Sequence, residues 1–109
     1  MSQYLYIGTY TKDGRSGLVA EGGTARERET RKLFESLGGE VVHYSFAIGA
    51  FDFIIIAEVA DDVTALVPPM LASTTGTVDV TTTKLLSSEE VDQVATKVRE
   101  ASFRAAGTS

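Results

Sequence analysis

An α+β domain on a four-stranded antiparallel sheet is the fold class this sequence predicts, and three observations predict it. Runs rich in Val, Ile, Thr and Tyr stand at residues 4–10, 40–48, 53–59 and 78–86. Segments with apolar residues at helical spacing separate the first run from the second and the third from the fourth. The two middle runs are joined by Gly49-Ala50-Phe51-Asp52, a glycine-led turn with an acid at its exit, which marks a hairpin. The 109 residues are the length of one domain. A chain of that size buries roughly two-thirds of the surface it exposes unfolded, so it needs no staple to fold. The domain is expected over residues 1–109, with a core at 3–86 and a C-terminal helix over about 88–104.

The first strand, 4–10, sets Tyr4, Tyr6 and Tyr10 on one face and Leu5, Ile7 and Thr9 on the other, with Gly8 interrupting the tyrosine row. Residues 11–23 contain Gly14, Gly17, Gly22 and Gly23 and read as a loop. Thr24, with Glu27 three residues on, has the form of a capping box opening a helix to about Leu37. Its buried stripe is Thr30, Leu33, Phe34 and Leu37, and Gly38-Gly39 stops it. The second strand alternates Val42, Tyr44, Phe46 and Ile48 with Val41, His43, Ser45 and Ala47. The third is apolar on both faces from Phe53 to Ala57, which requires cover on both sides, and a second subunit is the simplest cover.

Asp61 or Asp62 caps a helix over 63–72 that contains Pro68-Pro69. Proline costs about 3 kcal/mol inside a helix, so this element is kinked there or consists of two short pieces. A threonine-rich strand over 78–86 follows. Ser87 and Glu90 then form a capping box for a last helix with Val91, Val94, Ala95, Val98, Ala101 and Ser102 on one face.

This βαββαβ order is that of the ferredoxin-like fold, with helices on one face of the sheet. The other face is the natural dimer or ligand surface. If the tyrosines of the first strand turn away from the helices, Leu5 and Ile7 enter the core and Tyr4, Tyr6 and Tyr10 go to the interface. Ten Lys and Arg against fifteen Asp and Glu give a net charge of −5, which disfavours nucleic acid and anionic lipid as partners. The absence of cysteine excludes disulfides and thiolate chemistry. No segment reads as a signal peptide or a spanning helix, so a soluble cytoplasmic protein is expected.

Tyr10-Thr11 with Gly14, Gly38-Gly39 after the first helix, Gly49 and Asp52 in the turn, Glu58 before Asp61-Asp62, and Gly76 before the last strand together resemble the GYD domain family. These are small bacterial proteins named for a Gly-x-Tyr-Asp turn, and the resemblance covers about residues 3–86. Phe51 stands where the family has its tyrosine. The resemblance implies a ferredoxin-like fold and kinship with the dimeric α/β barrel group, hence a barrel-type dimeric assembly. Members of that group include cofactor-free monooxygenases, lactone isomerases and haem-handling enzymes. No settled activity comes with the family name.

Candidate chemistry is sparse. Asp52 is a candidate general base if it faces an apolar pocket, and a backbone-bonding turn residue otherwise. His43, the single histidine, is a candidate acid/base group or an interface residue. Tyr4, Tyr6, Tyr10 and Tyr44, with Phe51 in the turn, are the ligand-binding candidates, because phenols can bond a ligand oxygen while their rings line an apolar cavity. The histidine spacing gives no metal site, and no cofactor is expected. The favoured function is a homo-oligomeric module that binds a small apolar or aromatic ligand or acts as an accessory domain. The alternative is a cofactor-independent monooxygenase or isomerase acting on an aromatic or lactone, with His43 or Asp52 as base.

Overall fold

A computed structural model describes residues 1–108. The elements run β1 (Ser2–Tyr10), α1 (Lys12–Glu21), α2 (Gly23–Ser36), β2 (Glu40–Phe46), β3 (Phe53–Val59), α3 (Asp62–Ala65), α4 (Val67–Ser73), β4 (Val78–Leu85) and α5 (Ser88–Glu100). The strands form one antiparallel sheet in the order β2-β3-β1-β4. The expected α+β class, four-stranded antiparallel sheet and C-terminal helix are all present. The barrel-type assembly, and with it the kinship to barrel-forming proteins, is corrected: β2 and β4 are the two edges of an open sheet and do not pair with each other.

The core lies on one side of the sheet. Tyr4, Tyr6 and Tyr10 of β1 and Phe53, Ile55, Ala57 and Val59 of β3 are buried there with Phe34 of α2 and Ala65 of α3. The tyrosines therefore do not turn away from the helices, and the placement that would follow if they did, with Leu5 and Ile7 in the core, does not apply. Leu5 and Ile7 are on the uncovered face, and the tyrosines are beneath the helices. The most deeply enclosed phenol has found a partner, which lets a polar side chain serve as core. The Tyr6 hydroxyl donates to the Ala65 carbonyl at 2.7 Å, and its ring meets Phe34 edge-on with centroids 5.3 Å apart. Gly8 breaks the tyrosine row for a packing reason. A Cβ there would lie 1.9 Å from the Phe53 ring, which fills the space of the missing side chain from the neighbouring strand.

Residues 12–21 form a helix where glycines suggested a loop. Thr11 caps it by accepting from the Gly14 N–H, and Asp13 sits in the first turn, where it favours the helix N-terminus. Gly14 is a contact requirement, since a Cβ would lie 1.9 Å from the Thr77 carbonyl oxygen. The helix ends at Gly22, whose positive φ of 86° suits glycine, and α2 begins at the next residue without a side-chain cap bond, so the capping box expected at Thr24 does not form. Proline divides the following helical region into two pieces, α3 and α4, with the prolines in the first turn of α4, where their missing N–H groups are tolerated. The expected Ser87–Glu90 capping box opens α5, which ends at Glu100, short of 104, because Ala101 takes an extended backbone.

A β-bulge alters the second strand. Val41 faces Ala57, but the next paired residue is His43 opposite Ile56, leaving Val42 as the extra residue. Val41 and Tyr44 consequently share the covered face, while His43 and Ser45 lie on the open one with Ile54 and Ile56. The single alternation expected over 40–48 is broken at that point.

Candidate functional site

The helices leave a cavity of about 290 Å³ between themselves and the covered face of the sheet. Its floor is Tyr6, Tyr10, Tyr44, Phe53, Ile55, Val78 and Val80, drawn from all four strands. Its walls are Gly14 and Leu18 of α1, Thr30 and Phe34 of α2, and Pro68, Pro69 and Ala72 of α4. Local sequence accounts for each wall. Gly14 brings α1 against the Thr77 backbone, prolines start α4 with their rings buried, and the bulge at Val42 turns Tyr44 inward.

Two phenols supply the polar groups inside. Burial, first, and the neighbouring Tyr44, second, push the Tyr10 hydroxyl well above the ordinary tyrosine range, and burial also raises Tyr44. Both remain protonated at neutral pH and can donate to or accept from a ligand oxygen. Tyr6 is pushed up to about 12, chiefly by burial and then by Tyr4, and its hydroxyl is already engaged by Ala65. At the rim Arg26 and Glu21 pair at 3.0 Å, linking α2 to α1, with Asp13 and Glu29 nearby on the lining. An apolar chamber with a few convergent polar groups is the usual form of a small-molecule site.

The sequence candidates are distributed unevenly about this cavity. Tyr6, Tyr10 and Tyr44 are brought together in its lining. Tyr4 lies elsewhere, donating its hydroxyl to Asp62, whose carboxylate also pairs with Lys84 Nζ at 3.0 Å. That phenol bond, and then Lys84, hold the Asp62 carboxyl below its usual range. Phe51 is half-buried in the hairpin turn and is not part of the lining. His43 is exposed on the opposite face of the sheet, with Nε2 2.6 Å from Ser45 Oγ. Asp52 Oδ2 accepts from the Tyr10 backbone N–H at 2.8 Å, while its own N–H donates to the Gly8 carbonyl at 2.8 Å. It pins the turn to β1 and so holds Tyr10 from behind.

Arg26, Leu18, Pro68, Pro69 and Ala72 are lining residues that the sequence reading passed over. Thr11 followed by Asp13 was the available signal for α1, an N-cap with an acid in the first turn. Among the described residues no three His, Cys, Asp or Glu side chains cluster as a metal site would require, and no helix is long and apolar enough to cross a membrane.

Fold and cavity together define an α+β domain with one sheet face roofed by helices over a small chamber and the other face bare. The chain matches the GYD domain over residues 4–95 and belongs to that family. The match extends beyond β4 into α5. No match was found among curated proteins or among solved structures.

Proposed function

We propose that this GYD-family protein is a small-molecule-binding module that holds an apolar or aromatic ligand in the cavity between the sheet and helices α1, α2 and α4. The observation that carries this reading is a chamber of about 290 Å³ lined by five aromatic rings, Tyr6, Tyr10, Phe34, Tyr44 and Phe53. An apolar cavity of about 150 Å³ accepts benzene, so this one suits a ligand of one or two rings. The Tyr10 and Tyr44 hydroxyls are the groups that orient an oxygen substituent on it. The module acts as a homo-oligomer, because the second face of its sheet carries the apolar side chains Leu5, Ile7, Ile54 and Ile56 with no helix over them.

Binding is favoured over catalysis by position. His43 is on the far side of the sheet, and the Asp52 carboxylate is occupied by the Tyr10 backbone. Neither proposed base faces the chamber. Titration of the protein with 2-naphthol, followed by tyrosine fluorescence and calorimetry, tests the reading. Saturable binding is expected, weakened at least about 10-fold by Ala72→Phe, which fills the chamber, and by Tyr44→Ala, which removes an orienting phenol and lining area. Equal affinity in the filled variant, with its fold intact by circular dichroism, overturns it. Native mass spectrometry of protein from its own host would reveal a retained ligand directly.

A further inference from the structure

The C-terminal helix α5 is amphipathic and has nothing to pack on. Val91, Val94, Ala95 and Val98 fall on one face at helical spacing, yet Val91 is 50 %, Val94 48 % and Val98 66 % exposed, and no residue of the helix is buried. The radius of gyration is 18.0 Å, against about 13 Å for a compact chain of this length. The long axis of 62 Å against 33 and 24 Å gives the same picture of a helix and tail standing off the domain. A helix of 13 residues is marginal in water by itself and depends on burying its apolar face. The capping box at Ser87 and Glu90 fixes its first turn two residues after the edge strand β4.

The same chain carries an uncovered apolar surface of matching dimensions. Leu5 lies opposite Ile56 and Ile7 opposite Ile54 in the middle of the open sheet face, with Leu85 beside Gln3 at one end. Four strands span about 19 Å at about 4.8 Å each, and the 13-residue helix is about 20 Å long. Opposite charges meet at one end of the helix only, because α5 also carries Glu89, Glu90, Asp92 and Glu100. Glu40, Glu58 and Asp79 share the open face, and Lys97 and Arg99 occupy the last turn of α5.

We propose that two copies of this chain exchange their C-terminal helices, α5 of each lying across the open sheet face of the other. The partner is a second copy because both halves of the junction are present in every chain, and the projecting helix makes no substantial packing contact with its own sheet. This rests on the homo-oligomeric part of the functional reading and specifies its contact. It needs no closure of the sheet into a barrel, and it leaves the cavity on the helical side free.

The chain contains no cysteine, so engineered thiols report the contact without background. Val94→Cys and Ile56→Cys chains, mixed in equal amounts and oxidised, are expected to give a covalent dimer that neither gives alone to the same extent. A single chain carrying both substitutions is expected to cross-link to a second copy. Sedimentation equilibrium of the unmodified chain is expected to show a dimer at micromolar concentration, with Val94→Glu/Val98→Glu raising its dissociation constant at least about 100-fold. Those helix positions are exposed, so the variant keeps its fold, checked by circular dichroism. A monomeric unmodified chain overturns both the exchange and the homo-oligomeric reading. A dimer that survives Val94→Glu/Val98→Glu, a cross-link formed only within one chain, or no cross-link on mixing overturns the exchange alone.

Discussion

The two faces of this sheet are made from alternate residues of the same strands, yet one is a protein interior and the other is bare. Tyr6 is 2 % exposed, with its hydroxyl satisfied by Ala65, while the next residue, Ile7, points to the side where no helix lies. The more hydrophobic of the two neighbours is the less buried. Hydrophobicity alone does not decide which face becomes the core. The decision falls to the connections, because α1, α2, α3 and α4 all cross on one side, and whatever stands beneath them is enclosed. Tyrosine tolerates this when its ring fills volume and its hydroxyl finds a partner.

If that contrast is right, substitutions on the two faces will differ sharply in cost. Phe34→Ala, which removes the α2 ring from beneath the helices, is expected to cost about 3–5 kcal/mol in urea denaturation. A loss below about 1 kcal/mol would mean that the covered face is not the main core. Gly14→Ala places a methyl against the Thr77 carbonyl and is expected to cost about 1–3 kcal/mol as overpacking, with a shift of α1 that also weakens ligand binding. An unchanged denaturation midpoint would show that α1 is not held against that backbone.

Tyr6→Phe sharpens the comparison through pH. It leaves the Ala65 carbonyl without its donor, an expected loss of about 1–2 kcal/mol near neutrality. The phenol's folded value of about 12 lies above its ordinary 10.0, so its neutral form is favoured in the folded state. The associated stability is fully present below pH 10 and is lost as pH rises from 10 through 12, by about 3 kcal/mol in all. Tyr10 contributes in the same direction. Denaturation series between pH 9 and 12, with tyrosinate absorbance followed at the same time, are expected to show a shallower alkaline decline in Tyr6→Phe. Equal slopes would remove the buried-phenol account. At the small end, Thr81→Ala on the open face beside Ile7 is expected to change monomer stability by no more than about 0.5 kcal/mol. A larger loss in the Val94→Glu/Val98→Glu background, where the proposed contact between copies is absent, would mean that this face is covered within its own chain.

Much of the architecture was legible in the sequence. Alternation and β-branched residues mark the four strands, prolines mark the break between α3 and α4, and Ser87 with Glu90 marks the start of α5. Three things were not, each for a physical reason. Period two separates the faces of β1 but cannot say which one the crossovers will cover, so the side on which the tyrosines lie is not legible in the strand itself. Glycine has two meanings, a free backbone and a missing side chain, and Gly14 carries the second, which hid α1 inside an expected loop. The cavity needs α1 and the α4 prolines as walls, so only part of its lining, Tyr6, Tyr10 and Tyr44, was within reach of a sequence argument.

The bulge at Val42 decides which side chain this chamber receives. It works as a frameshift in side-chain space: one extra residue sends every position beyond it to the opposite side, and so puts the Tyr44 phenol indoors and the His43 imidazole outdoors. Removing Val42 would heal the bulge and leave both side chains where they are, since His43 would follow Val41 directly opposite Ile56; with Val41 held opposite Ala57, only a regular strand that kept Val42 would trade them. The chemistry inside the chamber is therefore set by how the extra residue is accommodated as well as by residue identity.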